Sequence, residues 1–276
     1  MSENKYVVQS EHFEVCLDNN TLKLVGDKLN IPYGKFVIIE GKNGIGKSTF
    51  LKFLSNTSPY YYFLDKGTIA IYEKNINDLK IGNALQRKVT YISQGDEFEK
   101  GSSVYHALTS STLTAINNEK EYSLKKKELK NKCKKLAFNY YHEVVSKYIH
   151  KKGDKTFTNP ENDWSFMYFK RVSSLSGGQQ KMVHLLQGFI KVQTLGINLL
   201  LLDEPLNNLD KDNKIFLIRL ITELREANPN LTIFTISHCR LFPNIDGIIN
   251  IKQSGDISLI TYEDANNFSY YDCLKE

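Results

Sequence analysis

The sequence predicts an α/β fold, a parallel sheet covered by helices, and three observations predict it. In the last third, strand and helix patterns alternate: an apolar run at 199–202, a helical period over 211–225, and a second apolar run at 231–236. Parallel strands need such crossovers, because the chain must return to the same edge before it can run in the same direction again. In the first third, the apolar run at 36–39 passes through a glycine-rich stretch, Gly41 to Thr49, into a helical run at 50–54. From about 103 to 192 the helical period dominates.

Taken in order, the chain begins with strands. Residues 6–8, 13–17, 21–25 and 35–39 are short, apolar or alternating, with turn residues Asn19-Asn20 and Pro32-Tyr33-Gly34 between them. Residues 68–72 and 89–92 continue the pattern. Lysine is concentrated between 120 and 155, including Lys125-Lys126-Lys127, Lys130, Lys132, Lys134 and Lys135. Leu124, Leu129, Cys133, Leu136, Ala137, Tyr140 and Val144 recur there at helical spacing, which predicts one or two amphipathic helices with a basic outer face. Such a face is either solvated or a contact for nucleic acid or anionic lipid. No repeat, low-complexity tract or Pro/Gly/Ser-rich linker divides the chain, so one domain with subdomains is expected.

Composition excludes several classes. The 276 residues carry 36 Lys and Arg against 31 Asp and Glu, a net charge of +5, with 41% hydrophobic residues. That is ordinary globular composition, neither disordered nor a disulfide miniprotein. No apolar run approaches the roughly 20 residues of a membrane-spanning helix. The first residues lack a basic segment followed by an apolar core, so the chain is expected to stay in the cytosol. Cys16, Cys133, Cys239 and Cys273 are far apart with no metal-ligand spacing, and are read as reduced thiols.

The stretch Gly41-Lys42-Asn43-Gly44-Ile45-Gly46-Lys47-Ser48-Thr49 fits G-x-x-x-x-G-K-[ST] and lies between a strand and a helix. Glycines let backbone N–H groups curl around phosphate, and the helix N-terminus directs its positive dipole end at the anion. Lys47 adds a mobile charge, Ser48 offers a hydroxyl oxygen to Mg²⁺, and Thr49 is placed for a further phosphate contact. A second site follows the run at 199–202, which ends in Asp203-Glu204-Pro205. A buried strand delivers such acids to its C-terminal edge, where α/β sheets bind ligands. Asp203 suits water-mediated Mg²⁺ coordination. Glu204 can take a proton from, or orient, a water attacking the γ-phosphate.

Leu175-Ser176-Gly177-Gly178-Gln179 opens a helix upstream of the acidic strand. Phosphate loop, L-S-G-G-Q and L-L-L-D-E strand, in that order, resemble the ABC (ATP-binding cassette) ATPase family over nearly the whole chain. The resemblance implies a P-loop NTPase core with an antiparallel β subdomain and an α-helical subdomain. It divides one cassette into a β-rich and phosphate-loop part (1–94), a helical subdomain (about 95–185) and an acidic-strand and switch part (about 186–276). It implies ATP and Mg²⁺ as ligands and two cassettes packed head to tail, each L-S-G-G-Q segment closing on the other's ATP. Gln94 matches the glutamine loop, which approaches Mg²⁺ and the attacking water and senses a membrane partner. Asp210, in Asn207-Asn208-Leu209-Asp210, matches the acid of the D-loop, with asparagines at 207 and 208 in place of the commoner small residues. His238 matches the switch histidine on the γ-phosphate. Asp246, the run at 248–251 and Gly255 resemble the closing hairpin.

Two departures from the family pattern stand out. The early aromatic that stacks on adenine has no obvious counterpart: Leu17, Asp18 or Asn19 align near its place, and Phe13 is the nearest aromatic, either a base platform or a core residue. The stretch from Gln94 to Leu175 is longer than is common, and the excess coincides with the lysine-rich helices. Residues around Gly95 to Tyr105 are the expected docking surface for membrane subunits. The leading expectation is therefore a transporter's ATP-hydrolysing subunit, peripheral at the cytoplasmic face. Glu204, His238, Lys47 and Gln94 would serve catalysis, and Ser48, Gln94 and Asp203 the metal. The rival is a soluble single-cassette ATPase acting on nucleic acid or a cytosolic assembly; a nucleotide switch without hydrolysis is disfavoured by the presence of Glu204, Gln94 and His238.

Overall fold

A computed structural model of the chain describes residues 5–17, 23–55, 62–76, 88–93, 98, 101–141, 168–237 and 241–265, with the backbone alone at 62–64. The turn residues Asn19-Asn20, Gln94, Val144, His238, Cys239 and Cys273 lie outside the described residues, as does the lysine-rich segment beyond 141. The chain divides into two compact units. One comprises Met1–Gln94, Ile197–Asn207 and Lys214–Glu276; the other comprises Gly95–Gly196 and Asn208–Asn213.

The first unit is built on an eleven-stranded sheet in the order β6-β5-β1-β2-β11-β10-β4-β9-β8-β7, with β3 paired to β1 off this path. Its parallel part consists of β4 (Phe36–Glu40), β9 (Thr232–Ile236), β8 (Leu199–Asp203) and β7 (Val89–Ile92), with β10 (Gly247–Ser254) parallel to β4 on the other side. Leu199 to Leu202 and Val37 to Ile39 are fully buried, because a strand covered on both faces reads as a continuous apolar run rather than an alternating one. Helix α1 (Lys47–Ser55) contributes Phe50, Leu51, Phe53 and Leu54 to the same core.

The rest of the sheet is largely antiparallel. The separate strands expected at 6–8 and 13–17 form one strand, β1 (Tyr6–Leu17). Polar Gln9 to His12 hide this continuity in the sequence, and a register shift against β5 (Tyr62–Ile71) between Ser10 and Phe13 accommodates them. Ser10 is itself buried; its hydroxyl donates to the Asp27 carbonyl at 2.9 Å and accepts from the Leu29 amide at 3.3 Å. These bonds tie β1 to the link between β2 (Lys23–Gly26) and β3 (Leu29–Pro32). The two-residue β6 (Lys74–Asn75) pairs with β5, and β11 (Ile257–Asp264) pairs antiparallel with β10 and parallel with β2.

Asp246 locks the start of β4 to the start of β10. Its carboxylate accepts from the Phe36 amide at 2.7 Å and from the Arg225 guanidinium at 2.8 Å. Arg225, near the end of α5 (Lys211–Ala227), also lies 5.2 Å from the Phe36 ring centroid.

The second unit packs α2 (Val104–Asn118), α3 (Lys126–Tyr141) and α4 (Gly177–Leu195) against one another, with a short 3-10 turn at Lys120–Lys125. As far as Tyr141, the lysine-rich segment is helical as expected, with Cys133, Ala137 and Tyr140 buried. Leu124 is a correction: it is 98% exposed, because it falls in the 3-10 turn, whose period does not continue the buried stripe of α3. Burial pushes the Cys133 thiol up to about 11, and the Cys16 thiol upward as well, which keeps both protonated.

Candidate functional site

The parallel register brings strand ends together. Ile39 pairs with Ile236, Asp203 with Ile236, and Ile92 with Leu202. The carboxyl ends of β4, β9, β8 and β7 therefore lie side by side, where such sheets bind ligands. The strand ends that precede Gln94 and His238 in the chain belong to this set; those two residues lie outside the described residues.

From the end of β4 the chain turns into the Gly41–Gly46 loop. Gly41 has φ 152, and a Cβ there would sit 2.5 Å from the Ile251 carbonyl oxygen, so no larger residue fits against β10. Gly46 has φ 105, a conformation other residues rarely adopt, and it sets the turn into α1. The first-turn N–H groups of α1 have no carbonyl partners within the helix, as at any helix start, and so are available to an anion. Lys47 is only 6% exposed; its ammonium donates to the Gly41 and Lys42 carbonyls at 2.9 and 3.0 Å. The cation is thus folded across the loop, where it can exchange carbonyl oxygens for phosphate oxygens. Lys42, Asn43 and Gly44 are exposed on the loop's outer turn, whereas Ile45 is buried and anchors it.

Ser48 and Asp203, 155 positions apart, meet at the base of this loop. The Ser48 hydroxyl donates to Asp203 Oδ1 at 3.0 Å, and the Tyr91 hydroxyl donates to Asp203 Oδ2 at 3.0 Å. Asp203 is buried at the end of β8. A hydroxyl and a carboxylate brought together in this way form an oxygen-only donor set of the kind that would suit Mg²⁺, a hard cation that would neutralise phosphate charge there. Tyr91 had no role in the sequence reading. Nothing in the local sequence singles it out, since only the pairing of β7 with β8 brings it to Asp203.

Glu204 follows with φ 50, a left-handed backbone immediately before Pro205, where the proline ring disfavours all but extended conformations. Asn207 donates its amide N–H to the Glu204 carbonyl at 3.2 Å, and its side-chain Nδ2 to Glu204 Oε2. Asp210 caps α5: its carboxylate accepts from the Asn213 amide at 2.8 Å and from Asn213 Nδ2 at 3.0 Å. Asn213, too, was missed by sequence reasoning, although an acid three residues before a helical Asn is a readable cap signal.

The Leu175–Gln179 segment opens α4. Ser176 is its N-cap, and it forms a reciprocal pair with Gln179: Ser176 N donates to Gln179 Oε1 at 2.9 Å, and Gln179 N to Ser176 Oγ at 3.4 Å. Leu175 is buried and fixes the entry. Among the described residues, a Cβ at Gly177 would meet nothing within 4 Å, and one at Gly178 would only touch the Asn208 carbonyl at 3.8 Å. Packing among the described residues therefore does not demand glycine at either place.

Phe13 is a correction. It is fully buried in β1 and stacked on Phe50 of α1, with centroids 6.1 Å apart and planes 13° from parallel. Its ring also covers Gly26, where a Cβ would lie 2.3 Å from the ring carbons. With no exposed surface, Phe13 offers no platform for a base.

In the second unit, Gly101, Ser102, Ser103, His106, Tyr168, Phe169 and Arg171 line a groove of about 430 Å³. Arg171 is held across it by a hydrogen bond to the Gly101 carbonyl, while Phe169 is 79% exposed. Among the described residues no cluster of three His, Cys, Asp or Glu could hold a metal, and no helix is long and apolar enough to cross a membrane.

The family profile described as ABC transporter matches residues 24–207. The phosphonates import ATP-binding protein PhnC of Lactobacillus gasseri is 29% identical over 256 residues, covering 92% of this chain and 83% of that protein. The ATP-dependent lipid A-core flippase of Vibrio parahaemolyticus is 24% identical over 86% of this chain, which spans only 36% of the flippase. Among solved structures, an ATP-binding cassette dimer in a post-hydrolysis state with ADP and phosphate has a TM-score of 0.66 at 18% identity, covering 95% of this chain and all of that one. That likeness is one of fold.

Proposed function

Because the chain belongs to the ABC transporter family, whose cassettes are ATPases, we propose that it is the ATP-hydrolysing subunit of a transporter whose membrane subunits are separate chains. The observation that carries this reading is the Ser48–Asp203 contact, which joins the phosphate loop to the acidic strand in one oxygen-lined site. PhnC, which this chain matches over 92% of its own length and 83% of that protein's, is named for import, and the same direction of transport is proposed here.

The chain's own residues divide the work. The loop amides and Lys47 bind the β- and γ-phosphates and hold their charge. Ser48 and Asp203 would hold Mg²⁺, which screens the phosphate oxygens when bound; Tyr91 keeps the Asp203 carboxylate oriented. Glu204 accepts a proton from the attacking water or orients it, and Gln94 and His238 are proposed to complete the water and γ-phosphate contacts.

Two cassettes pack head to tail in this reading. Gly177 and Gly178, uncrowded among the described residues, support it: they leave room at a capped helix N-terminus, as a phosphate brought by a second chain would require. Membrane subunits would dock in the groove lined by Gly101, Ser102, Ser103, Phe169 and Arg171, within reach of the expected docking stretch at 95–105, and the chain would then sit at the cytoplasmic face as a peripheral subunit.

The test uses Glu204→Gln. It should bind MgATP normally, lose turnover by about 100-fold or more, and accumulate as a dimer with MgATP by light scattering. Tagged and recovered from detergent-solubilised native membranes, it should bring a polytopic membrane protein with it. Normal turnover would remove Glu204 from the mechanism, and recovery of only soluble protein or nucleic acid would end the transporter reading.

A further inference from the structure

We infer that Asn207 is a positioning residue for Glu204, its side-chain amide fixing the carboxylate that handles the attacking water. The inference rests on the reading of Glu204 as base or water positioner and goes beyond it by naming what orients that group.

The geometry has two parts. The backbone bond from Asn207 N to the Glu204 carbonyl closes a tight turn that begins at the left-handed Glu204. A residue in so sparsely populated a conformation persists only when its surroundings hold it there, and this turn sets the direction in which the side chain leaves the strand end. The carboxylate itself is a second problem, because the last torsion of a glutamate is broad and has no strong preference of its own. The hydrogen bond from Asn207 Nδ2 to Glu204 Oε2 supplies that preference. It pins one oxygen and so narrows the directions in which the other can point.

The chemistry of position 207 follows from this. The site needs a donor, since an ionised carboxylate only accepts. Asn suits the place because its amide reaches back to a residue three earlier while its own backbone stays in the turn. Asp has the same shape and turn preference but presents a second carboxylate to Glu204, so it reverses the interaction without changing the packing.

The experiment measures steady-state ATP hydrolysis and MgATP affinity for the full chain carrying Asn207→Ala, Asn207→Asp or Glu204→Gln, and for Glu204→Gln combined with Asn207→Ala. Asn207→Ala is expected to lower kcat by about 10-fold and Asn207→Asp by about 100-fold, with KM and MgATP affinity within about twofold of the parent, as misplacing one catalytic group demands. In the Glu204→Gln background, Asn207→Ala should have no further effect, because the group it positions is gone. A packing role predicts the reverse order, with the isosteric Asp milder than Ala, and that order would overturn the inference. Parental kcat in Asn207→Asp would do the same while leaving Glu204 untouched. Parental kcat in Glu204→Gln would instead remove the premise.

Discussion

Asp203 and Tyr91 show how one residue's role is set by another far away in the chain. The acid was readable at the end of an apolar strand, but its partners were not: Ser48 lies 155 positions upstream and Tyr91 112. Both hydroxyls donate to it, so the carboxylate is buried yet satisfied. The Tyr91 hydroxyl holds the carboxylate that is proposed to serve Mg²⁺. Removing it with Tyr91→Phe should cost about 1 kcal/mol in chemical denaturation. It should also raise the Mg²⁺ needed for half-maximal turnover by about tenfold, the range seen when a group behind a metal ligand is lost. An unchanged Mg²⁺ titration would leave Tyr91 with a structural role alone. Phe13 teaches the converse: its aromatic type suggested a base platform, and its full burial against Phe50 and Gly26 puts the ring in the core.

At the scale of elements, the legible parts were those whose signal is local. The strand, glycine loop and helix at 36–55 were read correctly because a glycine run and a helix start are fixed by neighbours in sequence. The helices at 104–118, 126–141 and 177–195 and the strands β8 and β9 followed from period and apolar runs. Continuity of β1 was not legible, since its polar middle is satisfied by Ser10 bonds to residues 17 and 19 positions away. The Asp246 lock is similar. It joins β4, β10 and the end of α5 through one carboxylate, so Asp246→Ala leaves the Phe36 amide and the Arg225 guanidinium without it. The expected loss is about 2 kcal/mol, read from urea melts at unchanged m. A loss below about 0.5 kcal/mol, the ordinary surface range, would show that water replaces it.

For the whole molecule, head-to-tail pairing makes a prediction no single chain can satisfy. Lys47→Ala disables the phosphate loop and Ser176→Ala the bare helix end, so each variant alone should be inactive. Mixed in equal amounts, they form heterodimers in which one site joins both defects and the other has neither. If half the dimers are mixed and each has one sound site, activity should return to roughly a quarter of the parent's. Ser176→Ala should also cost about 1 kcal/mol through its lost cap, so the rescue must be measured well below its melting temperature. Failure of two folded, individually inactive variants to complement would rule out a site shared between chains.

The sequence by itself determined the chemistry: the phosphate loop, the acids, the L-S-G-G-Q segment and their order, and with them the family. Those segments are short, and a loop or helix end performs its electrostatic task wherever it is carried. Only the tertiary structure decided which groups hold one another. Tyr91 on Asp203, Asn207 on Glu204, Phe13 inside the core and Leu124 outside it depend on strand register, a left-handed turn and the phase of a buried helix stripe. Register and phase are settled by packing many residues at once, and no short window of sequence contains that sum.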